Sequence, residues 1–159
     1  MSKVKIYLDT NTVLDFFVNE ARVIRNKEDV KVPSKFQFMV ESREKVDFIT
    51  SFLTKAEITR ELISAFQLSE EDIERLWNTF VSSLDCKYVE KFEFDEEIVR
   101  LTMRFRMKLR TMVNFFHVFV AIKEDAYLLT GDKDLIRIIR ENKLYDKIMS
   151  YIELRNMFT

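Results

Sequence analysis

At 159 residues the chain is of a size for one domain, and it is read as a single domain over 1–159 with room for a sizeable core. Fifteen phenylalanines beside one glycine and one proline exclude a loop-rich or disordered chain, and a net charge of −1 excludes a global pull on nucleic acid. The lone Cys86 excludes an internal disulfide and a cysteine-based zinc site. No apolar run approaches the ~18 residues of a membrane span. "MSKVKIYLD" passes almost directly into a strand, so a cytoplasmic protein with no membrane association is expected.

The first strand is "VKIYL", residues 4–8, a short apolar run of the kind buried on both faces of a parallel sheet. "TNTVLDFFV" has helical spacing, with Val13, Phe16 and Phe17 on one side. Residues 19–35 mix charges, lack periodicity and hold the only proline, which predicts a loop. "FQFMVESREKV" reads as a helix and "DFITS" as the second strand. Helices follow over 54–66 and 70–84, the latter with Ser69 as its cap. "CKYVEKFEF" alternates and predicts a strand near the sheet edge, and "DEEIVRLTMRFRMKL" predicts a helix with Asp95 as its N-cap. Next come a buried helix opened by Asn114 in "TMVNFFHVFVAI", the strand "AYLLT", a helix from about Asp134 to Glu141, and a last apolar segment, "KIMSYIEL". Strands alternating with helices predict a doubly wound α/β domain, in which ligands bind beyond the carboxyl ends of the strands near the switch point.

Three acids fall where that rule puts a ligand. Asp9 closes the first strand, Asp132 lies two residues after "YLLT", and Glu57 stands early in the helix after "DFITS". Carboxylates crowded in a cleft repel one another unless protonated or neutralised by a cation, and a hard divalent ion, Mg²⁺ or Mn²⁺, suits oxygen ligands. Such an ion assists hydrolysis of a phosphodiester. There is no glycine-rich phosphate loop, and His117, the only histidine, has no nucleophile elbow to serve. Metal-assisted phosphodiester hydrolysis is the chemistry these residues favour.

The ordered set "YLDTNTVLDFF", "TSFLTKAEITREL", "NFFHVFVAI" and "LLTGDKDL" resembles a PIN domain over essentially the whole chain, with most likeness to short single-domain PIN proteins of archaea and bacteria, many of them VapC-type toxins. The resemblance implies a three-layer α/β/α fold around a central, mainly parallel sheet. It also implies a Mg²⁺- or Mn²⁺-dependent ribonuclease acting on RNA phosphodiester bonds, with an antitoxin protein as partner and a homodimer as a common assembly. Position by position, Asp9, Glu57 and Asp132 match three of the family acids. Asn114 stands where the family usually has its third acid, in "NFFHVFVA" where "DALIAA" or "DAIHLA" would be expected. Thr10, Asn11 and Thr130 match small polar positions that orient ligands or water, and Asp134 is an outer candidate beside Asp132.

Each of these residues also has a structural reading. Asp9, Asp132 and Asp134 can cap helices, and Glu57 stands three residues after Thr54, the spacing of a capping box. Asn and Asp cap helices about equally well, so the fold accepts either at position 114. Chemistry is less tolerant, because an amide can ligate a cation but brings no negative charge and cannot act as a base. An alternative function is therefore a catalytically weakened PIN module that binds RNA or a protein partner without cleaving. His117, one turn after Asn114, reads mainly as a packed, hydrogen-bonded helix residue. "RLTMRFRMKLR" carries five basic residues and no acid, so Arg104, Lys108 and Arg110 are the candidate contacts to an RNA backbone, with a solvated helix face as the plain alternative.

Overall fold

The computed structural model describes the chain apart from Met1, Phe92, Phe94, Asp95 and Lys108, and apart from the side chains of Leu109 and Arg110. The expected cap at Asp95 and the expected RNA contacts at Lys108 and Arg110 therefore lie outside the described residues.

Among the described residues, five parallel strands form one sheet: β1 (Val4–Leu8), β2 (Val46–Ser51), β3 (Lys87–Val89), β4 (Tyr127–Leu129) and β5 (Ile148–Met149), in the order β3-β2-β1-β4-β5. The helices are α1 (Thr10–Asn26), α2 (Ser34–Ser42), α3 (Phe52–Phe66), α4 (Glu70–Leu84), α5 (Glu96–Phe105), α6 (Leu109–Lys123), α7 (Lys133–Glu141) and α8 (Tyr151–Met157). Because side chains alternate along a strand, β1 sends Ile6 and Leu8 to one face and Tyr7 to the other. Ile6 and Leu8 pack with residues of α1 to α4 and α8, while Tyr7 packs with residues of α5 to α7. The result is the expected three-layer α/β/α arrangement around a parallel sheet. Among the described residues, no helix is long and apolar enough to cross a membrane.

The strand order reverses between β1 and β4, and that switch point brings Asp9 beside the residues that follow β4. The pairing of Leu8 with Leu129 fixes the register there, so Asp9 N donates to Leu129 O at 3.0 Å. A one-residue slip would turn Tyr7 and its neighbours to the wrong layers.

Several expected boundaries are corrected. Residues 19–26 are helical rather than loop, because Ala21 continues the buried stripe of Val13, Phe16 and Phe17 by one more turn. Among the described residues of "CKYVEKFEF", the expected strand is paired over Lys87–Val89 alone, at the sheet edge as anticipated. The basic helix ends at Phe105, where Arg106 takes a left-handed conformation (φ 47°). A new helix, α6, then begins at Leu109, so Asn114 sits in its second turn and does not open it. The final apolar segment divides into β5 and α8.

Candidate metal centre

Asp9 is placed by the end of β1 and by its work as the N-cap of α1, where Oδ1 accepts from Thr10 N at 2.7 Å. Its Oδ2 accepts from Thr130 Oγ1 at 2.7 Å, and the residue is only 3% exposed. Glu57 arrives from α3. That helix is capped by Ser51, whose Oγ accepts from Leu53 N, so the capping box from Thr54 does not form. Thr54 instead bonds Leu8 O across to β1. Glu57 Oε1 is thus left for the cleft, where it accepts from Thr10 Oγ1 at 2.7 Å and meets His117 Nε2 at 2.5 Å.

His117 is fully buried on α6. Its Nδ1 is 2.6 Å from Tyr7 Oη, which is itself 2.6 Å from Ser51 Oγ. Its Nε2 also lies 3.6 Å from Asp9 Oδ1. Among the described residues, the ligand atoms of Asp9, Glu57 and His117 all fall within 4.8 Å of one another. Two carboxylates and an imidazole at that spacing form a donor set that fits a divalent cation.

Asp132 lines the same cleft, of about 630 Å³, together with Asp9, Thr10, Asn11, Glu57, Arg60, Glu61 and Asn114. It is the N-cap of α7, with Oδ1 accepting from Leu135 N at 3.0 Å. Its Oδ2 accepts from Asn114 Nδ2 at 3.0 Å. Thr130 Oγ1 joins it to Asp9 by accepting from Asp132 N at 3.1 Å. Asn11 braces the turn, accepting from Gly131 N at 2.9 Å. Asp132 therefore shares the cleft with Asp9 and Glu57 but stands outside the tight cluster.

Charge is balanced differently at the two central acids. Burial pushes the Asp9 carboxyl above the ordinary range, and His117 and the Thr130 hydroxyl oppose that only in part. Burial pushes Glu57 up as well. In that case the bond and charge of His117, the Thr10 hydroxyl and the charge of Arg60 outweigh it and leave the carboxyl below its ordinary range.

The outer candidates are placed less centrally. Asp134 is 85% exposed at its side chain, reaches toward Arg137 at 3.6 Å, and borders an adjoining cavity with Asn11, Asn114, Asp132 and Lys133. Arg104 donates to Asn142 Oδ1 at 3.3 Å, at the opposite end of α7 from Asp132 and so roughly 15 Å along the helix axis. Among the described residues, the cation that does line the cleft is Arg60, on the exposed side of α3 three residues after Glu57. The sequence carried that signal in the i,i+3 spacing. Tyr7 and Ser51 had a fainter one, as buried polar groups near the carboxyl ends of β1 and β2.

No family model and no curated protein matches the chain. Among solved structures it is similar to a chain of VapBC2 from Rickettsia felis bound to a DNA fragment from the promoter, with a TM-score of 0.55 and 16% sequence identity over 92% of this chain and 97% of that one. That likeness is one of fold. The class that fold and cleft define is a PIN-like α/β/α domain carrying a candidate metal-binding group at the carboxyl edge of its sheet.

Proposed function

We propose that this protein is a Mg²⁺- or Mn²⁺-dependent endoribonuclease of one domain, hydrolysing RNA phosphodiester bonds in the cytoplasm. The observation that carries the reading is the buried Asp9 carboxylate facing Glu57 across an open cleft at the switch point of a PIN-like sheet. Asp9 and Glu57 hold the ion, and Asp132 completes the acidic wall. When bound, the ion supplies positive charge and Lewis acidity at the scissile phosphate. Thr10 holds Asp9 and Glu57, while Thr130 and Asn11 hold Asp9 and the turn leading to Asp132. Asn114 supplies a neutral donor that fixes Asp132 and cannot serve as a base. Arg60 and Lys133, exposed beside the acids, offer charge to the flanking phosphates, with Asp134 at the outer margin. A role as the toxin of a toxin–antitoxin pair, with a small antitoxin covering the cleft, accords with the sequence resemblance and with the VapBC2 likeness.

The test is cleavage of a single-stranded RNA by the native protein and by Asp9→Asn, with Mg²⁺, with Mn²⁺ and with chelator. Loss of several kcal/mol of stabilisation corresponds to a fall on the order of a hundredfold or more in Asp9→Asn. Cutting that survives chelation would sink the proposal. Metal binding without cutting would instead favour the weakened module that Asn114 suggests.

A further inference from the structure

Helix α6 brings two polar side chains to the cleft, Asn114 and His117, and they go to different partners. The Asn114 amide turns to Asp132 at 3.0 Å. His117 Nε2 turns to the central acids, touching Glu57 Oε1 and lying 3.6 Å from Asp9 Oδ1. We propose that His117 Nε2 is itself a ligand of the ion, giving a two-carboxylate, one-imidazole centre of Asp9, Glu57 and His117 that selects first-row transition ions such as Mn²⁺ over Mg²⁺. The inference rests on reading this cleft as an ion site and adds the identity of the third ligand and of the preferred ion.

Three features of the structure carry it. The ligand atoms of these residues all lie within 4.8 Å of one another, a group that does not include Asp132. The imidazole is completely buried, its ring lies 5.6 Å from that of Tyr7 between centroids, and its Nε2 edge is the one that faces the acids. Behind it, Nδ1 has Tyr7 Oη at 2.6 Å, and Tyr7 Oη has Ser51 Oγ at 2.6 Å. Metal-bound histidines are regularly held at the other nitrogen in this way. A hydroxyl both donates and accepts. Tyr7 can therefore donate to Nδ1 while Nε2–H bonds Glu57, and accept from Nδ1–H when the Nε2 lone pair is given to an ion. Imidazole nitrogen suits Mn²⁺ to Zn²⁺ better than Mg²⁺, which prefers oxygen throughout. Asn114 brings no charge to the cleft, and His117 adds a neutral nitrogen donor that favours one class of ion.

The experiment is pulsed electron paramagnetic resonance on Mn²⁺ bound to tag-free protein, with Mn²⁺ and Mg²⁺ dissociation constants measured alongside. His117 is the only histidine, so any imidazole ¹⁴N coupling to the ion comes from it. The native protein is expected to show that coupling and to bind Mn²⁺ about tenfold or more tightly than Mg²⁺. His117→Gln should abolish the coupling and remove that preference. Tyr7→Phe, which keeps the ring and the ligand, should weaken Mn²⁺ binding roughly tenfold. Mn²⁺ that binds in an Asp9-dependent manner without ¹⁴N coupling overturns the assignment of His117 and leaves an acid-held ion in place. Absence of any Asp9-dependent binding overturns both. Because the decisive signal is read on the native protein, a variant that fails to fold does not rescue the idea.

Discussion

At Asn114 the side-chain amide donates to Asp132 Oδ2 at 3.0 Å, and both atoms line the cleft. An aspartate there would replace a hydrogen bond by two facing carboxylates, a repulsion that only a proton or a cation relieves. Asn114→Asp is therefore expected to lower the stability of metal-free protein by about 1–2 kcal/mol and to recover more than the native protein does when Mg²⁺ is added. Thermal melts of both proteins with and without Mg²⁺ measure this, and equal metal-free melting points would contradict it. The two central acids make opposite predictions. Asp9 is raised by burial, so its folded form favours the proton. Its contribution to stability is present below the ordinary value of 3.8 and is lost as pH climbs through the raised folded value. Asp9→Asn should thus stabilise metal-free protein at pH 7, by about 1 kcal/mol or roughly 3 °C, with a smaller gain at pH 4. Glu57 is lowered on balance, so its contribution is present above its ordinary 4.5 and is lost as pH falls through the folded value. Glu57→Gln should therefore lower the melting point at pH 7. A pair of variants shifting in the same direction would show that the electrostatic account is wrong.

The helices explain why some of their ends were hard to read. Lys27, Gln67, Asp85, Arg106, Asp125 and Lys143 all take left-handed conformations just beyond the ends of α1, α3, α4, α5, α6 and α7. Glycine usually fills that position and marks the boundary, and here it never does. Without that signal, the true end of α1 at Asn26 is hidden in a charged stretch, and the helix expected over "DEEIVRLTMRFRMKL" runs past the true end of α5 at Phe105. The start of α6 was then displaced to Asn114. Where caps are polar the reading was closer: Ser69 does accept from Asp72 N, and Asp132 does open α7. Gln67 offers a test, since it is exposed and contributes only its backbone to the end of α3. Gln67→Gly is expected to raise stability by about 0.5–1 kcal/mol in urea unfolding, because glycine reaches φ near 53° without strain. A loss of that size would show that the entropy released to the unfolded chain dominates instead.

Across the whole molecule, the sheet order is what assembles the cleft. Asp9, Glu57 and Asp132 were legible because each follows a strand whose pattern was plain, and the reversal between β1 and β4 carries strand ends to one edge. The place of His117 was less legible. Its partners Tyr7 and Glu57 lie 110 and 60 residues away in sequence, and only the pleat of β1 and the packing of α6 on that face bring them together. The basic run was visible in the sequence, but its Arg104 bonds Asn142 at the far end of α7, while Arg60 is the cation that lines the cleft among the described residues. The most direct measurement is the chemical nature of the ends made on an end-labelled single-stranded RNA with Mn²⁺ present. Attack by water in the cleft of Asp9 and Glu57 predicts linear phosphate ends, formed by the native protein and absent with Asp9→Asn. Ends carrying a 2′,3′-cyclic phosphate, or equal cutting by both proteins, would contradict a metal-assisted hydrolysis at this site.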